Sequence, residues 1–382
     1  MKTSWVLLLA PLLYNVVEGQ LSLDIIEGTN TFCDTGPDGM TNALAGPAGI
    51  TEGQPIPRYC IQNPVSGGKQ RCYYLFVPKC ASGSTPLVVN MHGTSSCPVW
   101  STYFDRWTET AVRHCFAVAY PIGVTDPDVS DYPCYSVPGG RNVNDVFTTN
   151  DCCCSKDGGS LDPGETQDLV VIHNMVQDIV FQKRVDLLTN NTAQMDETRV
   201  YMAGHSNGCL AALGMGAVFS DLVAAVCCHA AGSFVRVPPN YDPIPTWIAQ
   251  GVKDATIWYQ FARETTQTYG WIHQCLNETE TDVANGTGVE YTQYNCTNNA
   301  SVTLLLLNES GHIPFLSLWE YSEGASPTTI DTTEMAWQFC SSYSKDEVPP
   351  SLVRSESAAG LTSTWSVGGI VVSFLLLVST LW

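Results

Sequence analysis

The stretch of this chain best suited to chemistry is Arg199-Val-Tyr-Met-Ala-Gly204-His205-Ser206-Asn207-Gly208. A serine flanked two positions away by glycines fits a sharp strand-to-helix turn, because only small neighbours let the backbone pass so closely. Gly204 and Gly208 supply that room. Such an elbow lifts the hydroxyl above the carboxyl edge of a sheet, at the start of a helix, where the Asn207 N–H can meet a developing oxyanion. The five-residue string also fits an ordinary turn serine. Here a β-rich run precedes it and a helix-forming run follows, which is the context the elbow requires.

A serine hydroxyl becomes a useful nucleophile when a histidine takes its proton and a carboxylate orients that histidine. On an elbow of this kind the chain order is Ser, then Asp or Glu, then His. His229, His273 and His312 follow Ser206. His229 ends an expected strand and suits a packed core position. His273 lies in a Trp/Tyr-rich, helix-like stretch. His312, in Glu309-Ser310-Gly311-His312-Ile313-Pro314, falls in a loop after the expected strand Val302–Leu307, at the edge where a base belongs. For the acid, Asp254 follows the expected strand Pro245–Gln250, whereas its competitor Asp242 precedes that strand, at the wrong end. A second oxyanion donor is expected after an early strand. Leu87-Val-Val-Asn-Met91 runs into His92-Gly93-Thr94, so the Thr94 N–H is the candidate, with the His92 side chain structural.

The elements that must hold these residues alternate. Strands are expected at Arg71–Pro78, Pro86–Met91, Cys115–Tyr120, Thr198–Ala203, Leu222–Cys228, Pro245–Gln250 and Val302–Leu307. A helix starts at about Asn207. Another covers Asp168–Phe181, where Leu169, Ile172, Met175, Val176, Ile179 and Val180 recur at helical spacing. This alternation predicts an α/β domain with a mainly parallel central sheet flanked by helices on both faces.

The chain's 382 residues carry 44% hydrophobic and only 14% charged residues, with a formal net charge of -20. A sizeable core follows, and nucleic acid, anionic membrane surfaces and polyanionic substrates are disfavoured as partners. A neutral substrate fits better. The 16 cysteines point to an oxidising compartment. In keeping with this, Lys2 precedes an apolar run, Trp5 to Leu13, and small residues near Gly19, so residues 1–19 read as a secretory signal. Sequons at Asn190, Asn277, Asn285, Asn295, Asn299 and Asn308 are candidate glycosylation sites, and the crowding over Asn277–Asn308 predicts a surface excursion. Residues 20–345 form the expected catalytic body and 346–366 a Ser/Thr/Gly-rich stalk. Small residues at Ser357-Ala358-Ala359 and the apolar tail 367–382 fit a GPI-attachment signal at Ser357, or alternatively a plain C-terminal membrane anchor. No membrane contact is expected apart from that tail. The triplet Cys152-Cys153-Cys154 has no partner at metal-ligand spacing, so structural disulfides pinning that loop, with Cys209 as one possible partner, are expected in place of a metal site.

Over roughly Arg71 to Phe339 the chain resembles secreted serine esterases of the feruloyl esterase and polyhydroxybutyrate depolymerase family, which have the α/β-hydrolase fold. The resemblance is carried by Pro86–Gly93, by Tyr120-Pro121-Ile122-Gly123, and by Cys153-Cys154 with Asp168 after it. It is carried further by Asp196 to Gly208, by Gln250-Gly251-Val252-Lys253-Asp254 and by Gly311-His312. It implies a triad of Ser206, Asp254 and His312, acting without metal or cofactor. Three positions depart from the family pattern: Gln250 where it commonly has His, Ile313 where it has Trp, and Cys209 where a small residue often stands. By resemblance the substrate is a neutral ester, either a hydroxycinnamoyl or acetyl group on extracellular polysaccharide, or a hydroxyalkanoate polyester. A surface-displayed hydrolase fold used only for binding is the reading from another class.

Overall fold

A computed structural model describes residues 43–44, 56–62, 70–94, 96–126, 130–135, 167–181, 192–232, 237–316 and 324–345. The expected signal segment, Asn190, the Cys152–Cys154 triplet, the stalk with Ser357, and the apolar tail lie outside the described residues. Among the described residues the strands are β1 Ala43–Leu44, β2 Ile56–Gln62, β3 Gln70–Phe76, β4 Gly83–Met91, β5 Ala117–Pro121, β6 Val124–Asp126 and β7 Ser130–Cys134. They continue as β8 Ala193–His205, β9 Ala225–His229, β10 Thr246–Gly251, β11 Asn277–Val283, β12 Gly288–Tyr294 and β13 Val302–Leu307. The helices are α1 Pro98–Phe104, α2 Trp107–His114, α3 Gln167–Phe181, α4 Asn207–Val218, α5 Tyr259–Ile272 and α6 Thr332–Cys340.

Eleven strands form one sheet in the order β1-β2-β3-β5-β4-β8-β9-β10-β13-β12-β11. Its middle, from β5 to β13, is parallel throughout. Antiparallel strands close both margins. The central strands read as continuous apolar runs because both of their faces are covered: Thr85–Met91 on β4 and all of β9, β10 and β13 are buried. Two hydrophobic clusters lie on the two faces. One gathers β4, α3, α4 and β9 around Met202, Leu213 and Val226. The other gathers α2, β5 and α6 around Trp107, Phe116 and Trp337. The α3 stripe falls as its spacing predicts: Leu169, Ile172, Met175, Val176, Ile179 and Val180 are all buried. Each such side chain contributes about 1.5–3 kcal/mol on leaving water.

Five disulfides join described cysteines: Cys60–Cys72, Cys80–Cys115, Cys209–Cys228, Cys227–Cys340 and Cys275–Cys296. Such cross-linking belongs to an oxidising, extracellular-type compartment. Cys209 therefore pairs with its neighbour across the sheet face, correcting the expectation that it pins the triplet loop. Cys227 and Cys228 are consecutive on β9, and side chains on a strand alternate faces. The bond to Cys209 holds α4 on one face, and the bond to Cys340 holds α6 on the other.

The sequon-rich segment lies at the surface, and its form is regular. It is an ordered β-hairpin, β11 with β12, that extends the sheet. Edge strand β11 (Asn-Glu-Thr-Glu-Thr-Asp-Val) is exposed over Asn277–Asp282 and protected by its acidic side chains against pairing with another edge. Asn277, Asn285, Asn295 and Asn299 are exposed. Asn308 is half-buried, and its amide nitrogen donates to the Gly286 carbonyl at 2.8 Å. Among the described residues no helix is long and apolar enough to cross a membrane.

Candidate active site

Ser206 stands between the last residue of β8 and the first of α4, with φ 55° and ψ -121°. That conformation costs a non-glycine residue roughly 1–3 kcal/mol and persists only where its surroundings over-determine it. They do. The Ser206 N–H donates to the His229 carbonyl at 3.0 Å, and the Ser206 carbonyl accepts from the Cys209 and Leu210 N–H groups. The glycines are required by space: a Cβ on Gly204 would lie 2.4 Å from the Gly208 carbonyl, and one on Gly208 would lie 2.0 Å from the Met91 carbonyl oxygen. The elbow is thus wedged between its own first helical turn and the end of β4. Cys209 and Ala211–Ala217 of α4 are buried, and ahead of the Cys209 and Leu210 N–H groups bound to Ser206, those of Asn207 and Gly208 have no acceptor within the helix.

Asp254 and His312 meet. His312 Nδ1 lies 2.7 Å from Asp254 Oδ2, with both residues buried. A carboxylate oxygen only accepts, which assigns the proton to Nδ1 and leaves Nε2 as the basic nitrogen. Asp254 Oδ1 accepts from the Thr256 and Ile257 N–H groups, each at 2.8 Å, and Oδ2 accepts from Gln250 Nε2 at 2.8 Å. Burial alone would push the Asp254 carboxyl up. The hydrogen bond and charge of His312, with the Ile257 and Thr256 N–H groups, outweigh it and hold the carboxyl below its ordinary value. Gln250 Nε2 also faces the Ile257 carbonyl at 3.0 Å, which fixes the orientation of its amide. Gln250, one of the three positions that depart from the resemblance, therefore supports the Asp254 carboxylate, a contact that sequence reading missed.

The segment His92-Gly93-Thr94 lies beside the serine. A Cβ on Gly93 would fall 3.2 Å from Ser206 Cβ, so the glycine is what permits the approach. His92 is structural, as expected: Nδ1 is 2.8 Å from the Gly93 carbonyl and Nε2 accepts from the Gly123 N–H at 2.9 Å. Burial drives its pKa down to about 4, so it stays neutral. Asn207 is tied down through its side chain, which accepts from the Tyr135 N–H at 2.8 Å and donates to the Tyr135 carbonyl at 3.1 Å.

The other candidates have structural partners. His273 lies between the Ala300 carbonyl at 2.9 Å and the Tyr241 hydroxyl at 2.8 Å. His229 packs between Trp247 and Phe315, with ring centroids at 5.4 and 4.2 Å, and burial lowers its pKa to about 3. Asp242 is beside Lys345, 3.7 Å away, and receives a hydrogen bond from Asn298. Asp168 forms a buried ion pair with Arg71 at 2.5 Å, joining α3 to β3. Among the described residues no group of three or more His, Cys, Asp or Glu side chains could hold a metal ion.

Sheet order, parallel centre and a serine elbow at the carboxyl end of a middle strand define an α/β-hydrolase fold. No family model matches the chain, and no curated protein sequence matches it. Similar solved structures include an acetyl xylan esterase from Aspergillus awamori, at 14% identity over 67% of this chain and 93% of that one, with a TM-score of 0.46. An S-formylglutathione hydrolase from Agrobacterium tumefaciens is 12% identical over 71% and 92%, with a TM-score of 0.43. A carboxylesterase from Bacillus cereus is 14% identical over 71% and 93%, with a TM-score of 0.41.

Proposed function

We propose that this protein is a serine carboxylic-ester hydrolase working through an acyl-enzyme, with Ser206 as nucleophile, His312 as base and Asp254 as its orienting acid. The observation that carries the reading is the His312–Asp254 hydrogen bond at 2.7 Å on loops beside a strained serine elbow. His312 Nε2 takes the Ser206 proton as the hydroxyl oxygen attacks the ester carbonyl. Asp254, held ionised by its surroundings, stabilises the imidazolium that forms. The Thr94 and Asn207 N–H groups receive the oxyanion, at about 3–4 kcal/mol per donor. The alcohol departs with the proton from His312. Water then repeats the cycle on the acyl-enzyme, releasing the carboxylic acid and restoring Ser206.

The substrate class follows from the resemblance to feruloyl esterases and from the net charge of -20, which disfavours anionic ligands. It is a hydroxycinnamoyl or acetyl ester on extracellular polysaccharide. Secretion by the 1–19 segment, glycosylation at Asn190, Asn277, Asn285, Asn295, Asn299 and Asn308, and attachment through Ser357 belong to the same reading, and the disulfides support an extracellular setting. The test is hydrolysis of p-nitrophenyl acetate, p-nitrophenyl butyrate, methyl ferulate and a hydroxybutyrate oligomer, with Ser206→Ala as control. Serine-dependent turnover with methyl ferulate or the acetyl ester preferred is expected. Preference for the oligomer points to a polyester hydrolase, and absence of turnover from folded protein points to a binding module.

A further inference from the structure

Immediately before the nucleophile stands a histidine that the proposed reaction does not use. His205 ends β8, and its ring is buried. Its Nε2 lies 2.6 Å from the backbone carbonyl of His312. A carbonyl only accepts, so Nε2 carries the proton and donates. The two imidazoles lie with centroids 4.8 Å apart. Phe104 and Phe315 pack on the His205 ring at 5.5 and 5.6 Å. On its other side, Nδ1 stands against Gly93, where an added Cβ would fall 3.3 Å from it. One ring therefore touches the His312 loop and the Gly93 loop, while its own backbone carries Ser206.

We infer that His205 is a positioning residue for the base, and that its donation to the His312 carbonyl fixes the backbone from which the imidazole projects toward Ser206. The inference rests on the Ser206–His312–Asp254 reading. Asp254 fixes the rotation of the His312 ring, but a ring is only as well placed as its Cα. The loop around His312 is separated from β8 by more than a hundred residues of chain, so its height above the serine is set by tertiary contacts. A displacement near 1 Å at a reacting group costs about 10²-fold in rate. Neutrality matters as well. When His312 becomes an imidazolium, a charged neighbour at this distance would oppose it. Burial, aided by the charge of His312, keeps the His205 pKa near 3.

The test measures kcat and KM of the full-length chain as wild type, Ser206→Ala, His312→Ala, His205→Phe and His205→Gln, each checked for folding by circular dichroism. Phe keeps an aromatic ring against Phe104 and Phe315 without the donor, and Gln extends an amide N–H to about the place of Nε2. We expect His205→Phe to lower kcat by about 10–100-fold with KM within about twofold. His205→Gln should retain at least about a third of wild-type kcat. A folded Phe variant that loses less than about fivefold in kcat overturns the inference, as does a Gln variant below that third. Should the Phe variant not fold, the Gln variant decides by the same threshold. Undiminished turnover by Ser206→Ala or His312→Ala would instead overturn the triad reading itself. If both are inactive while His205→Phe is unaffected, only the positioning role falls.

Discussion

Ser206 donates its backbone N–H to the carbonyl of His229, 3.0 Å away on the neighbouring strand. The strand that receives this bond is fastened on both faces, by Cys228 to Cys209 of the elbow's own helix and by Cys227 to Cys340 of α6. A strained residue is held where its supports cannot relax, and here they are covalently tied. Four expectations follow.

Gly208→Ala should be the most damaging single-methyl addition at the elbow. The new carbon would meet backbone atoms at 2.0 Å, and no rotamer change can relieve a backbone contact. A loss of about 3 kcal/mol or more is expected in urea unfolding. Gly83→Ala provides the contrast: an added Cβ has nothing within 4 Å, and the cost is confined to its positive φ of 58°.

Asp254→Asn should leave the fold intact and lower kcat by about 10⁴-fold, with KM little changed. The amide can still accept from the Thr256 and Ile257 N–H groups through its oxygen. Its NH₂ would then oppose the His312 Nδ1–H and the Gln250 donor, inverting the tautomer that the base needs. Steady-state kinetics over pH 6–9 checks this, and near wild-type turnover would remove Asp254 from the mechanism.

Stability should fall as pH drops below about 6.5. Burial depresses His92 and His273 to about 4 and His205 and His229 to about 3. Between those values and 6.5 the unfolded chain binds protons that the folded chain refuses. Stability is therefore full above 6.5 and is lost as pH falls toward 3–4, with a limiting slope of about 1.4 kcal/mol per pH unit per histidine. Asp105 acts in the opposite sense. Burial raises it to about 8, so its contribution is present below 3.8 and is lost as pH rises through 8. Urea midpoints from pH 4.5 to 9 should trace a dome. Asp105→Asn should flatten its alkaline side, and His273→Gln should make its acid side shallower.

Removing Cys227–Cys340 should cost more than removing Cys60–Cys72. The first closes a loop with a sequence separation of 113, the second one of 12. The loop-entropy difference is about 2 kcal/mol. Paired Cys→Ala variants compared by urea unfolding give the number, and equal losses would show that local packing, not chain constraint, sets the effect.

Local signals carried the parts of this protein whose structure depends on near neighbours. The elbow is written in five residues because its constraint, glycine beside a strained serine, spans one turn of chain. The α3 stripe and the largely apolar β13 were legible for the same reason: periodicity and burial on both faces leave a direct trace in residue type.

What only the tertiary structure decided is which distant residues meet. His312 reaches Asp254 across 58 positions, while His273 finds Tyr241 and Ala300 and His229 finds a ring-lined core. Local context singled out His312 and Asp254 and suited His229 to the core, but the contacts themselves, and the Tyr241 and Ala300 partners of His273, have no trace in the neighbouring sequence. Cys209 likewise carries no mark of Cys228, and the sequon-rich segment none of its place as the sheet's outer hairpin. Sheet order brings these pairs together, and it is fixed by burying the whole core at once, a sum over the chain to which each residue contributes little.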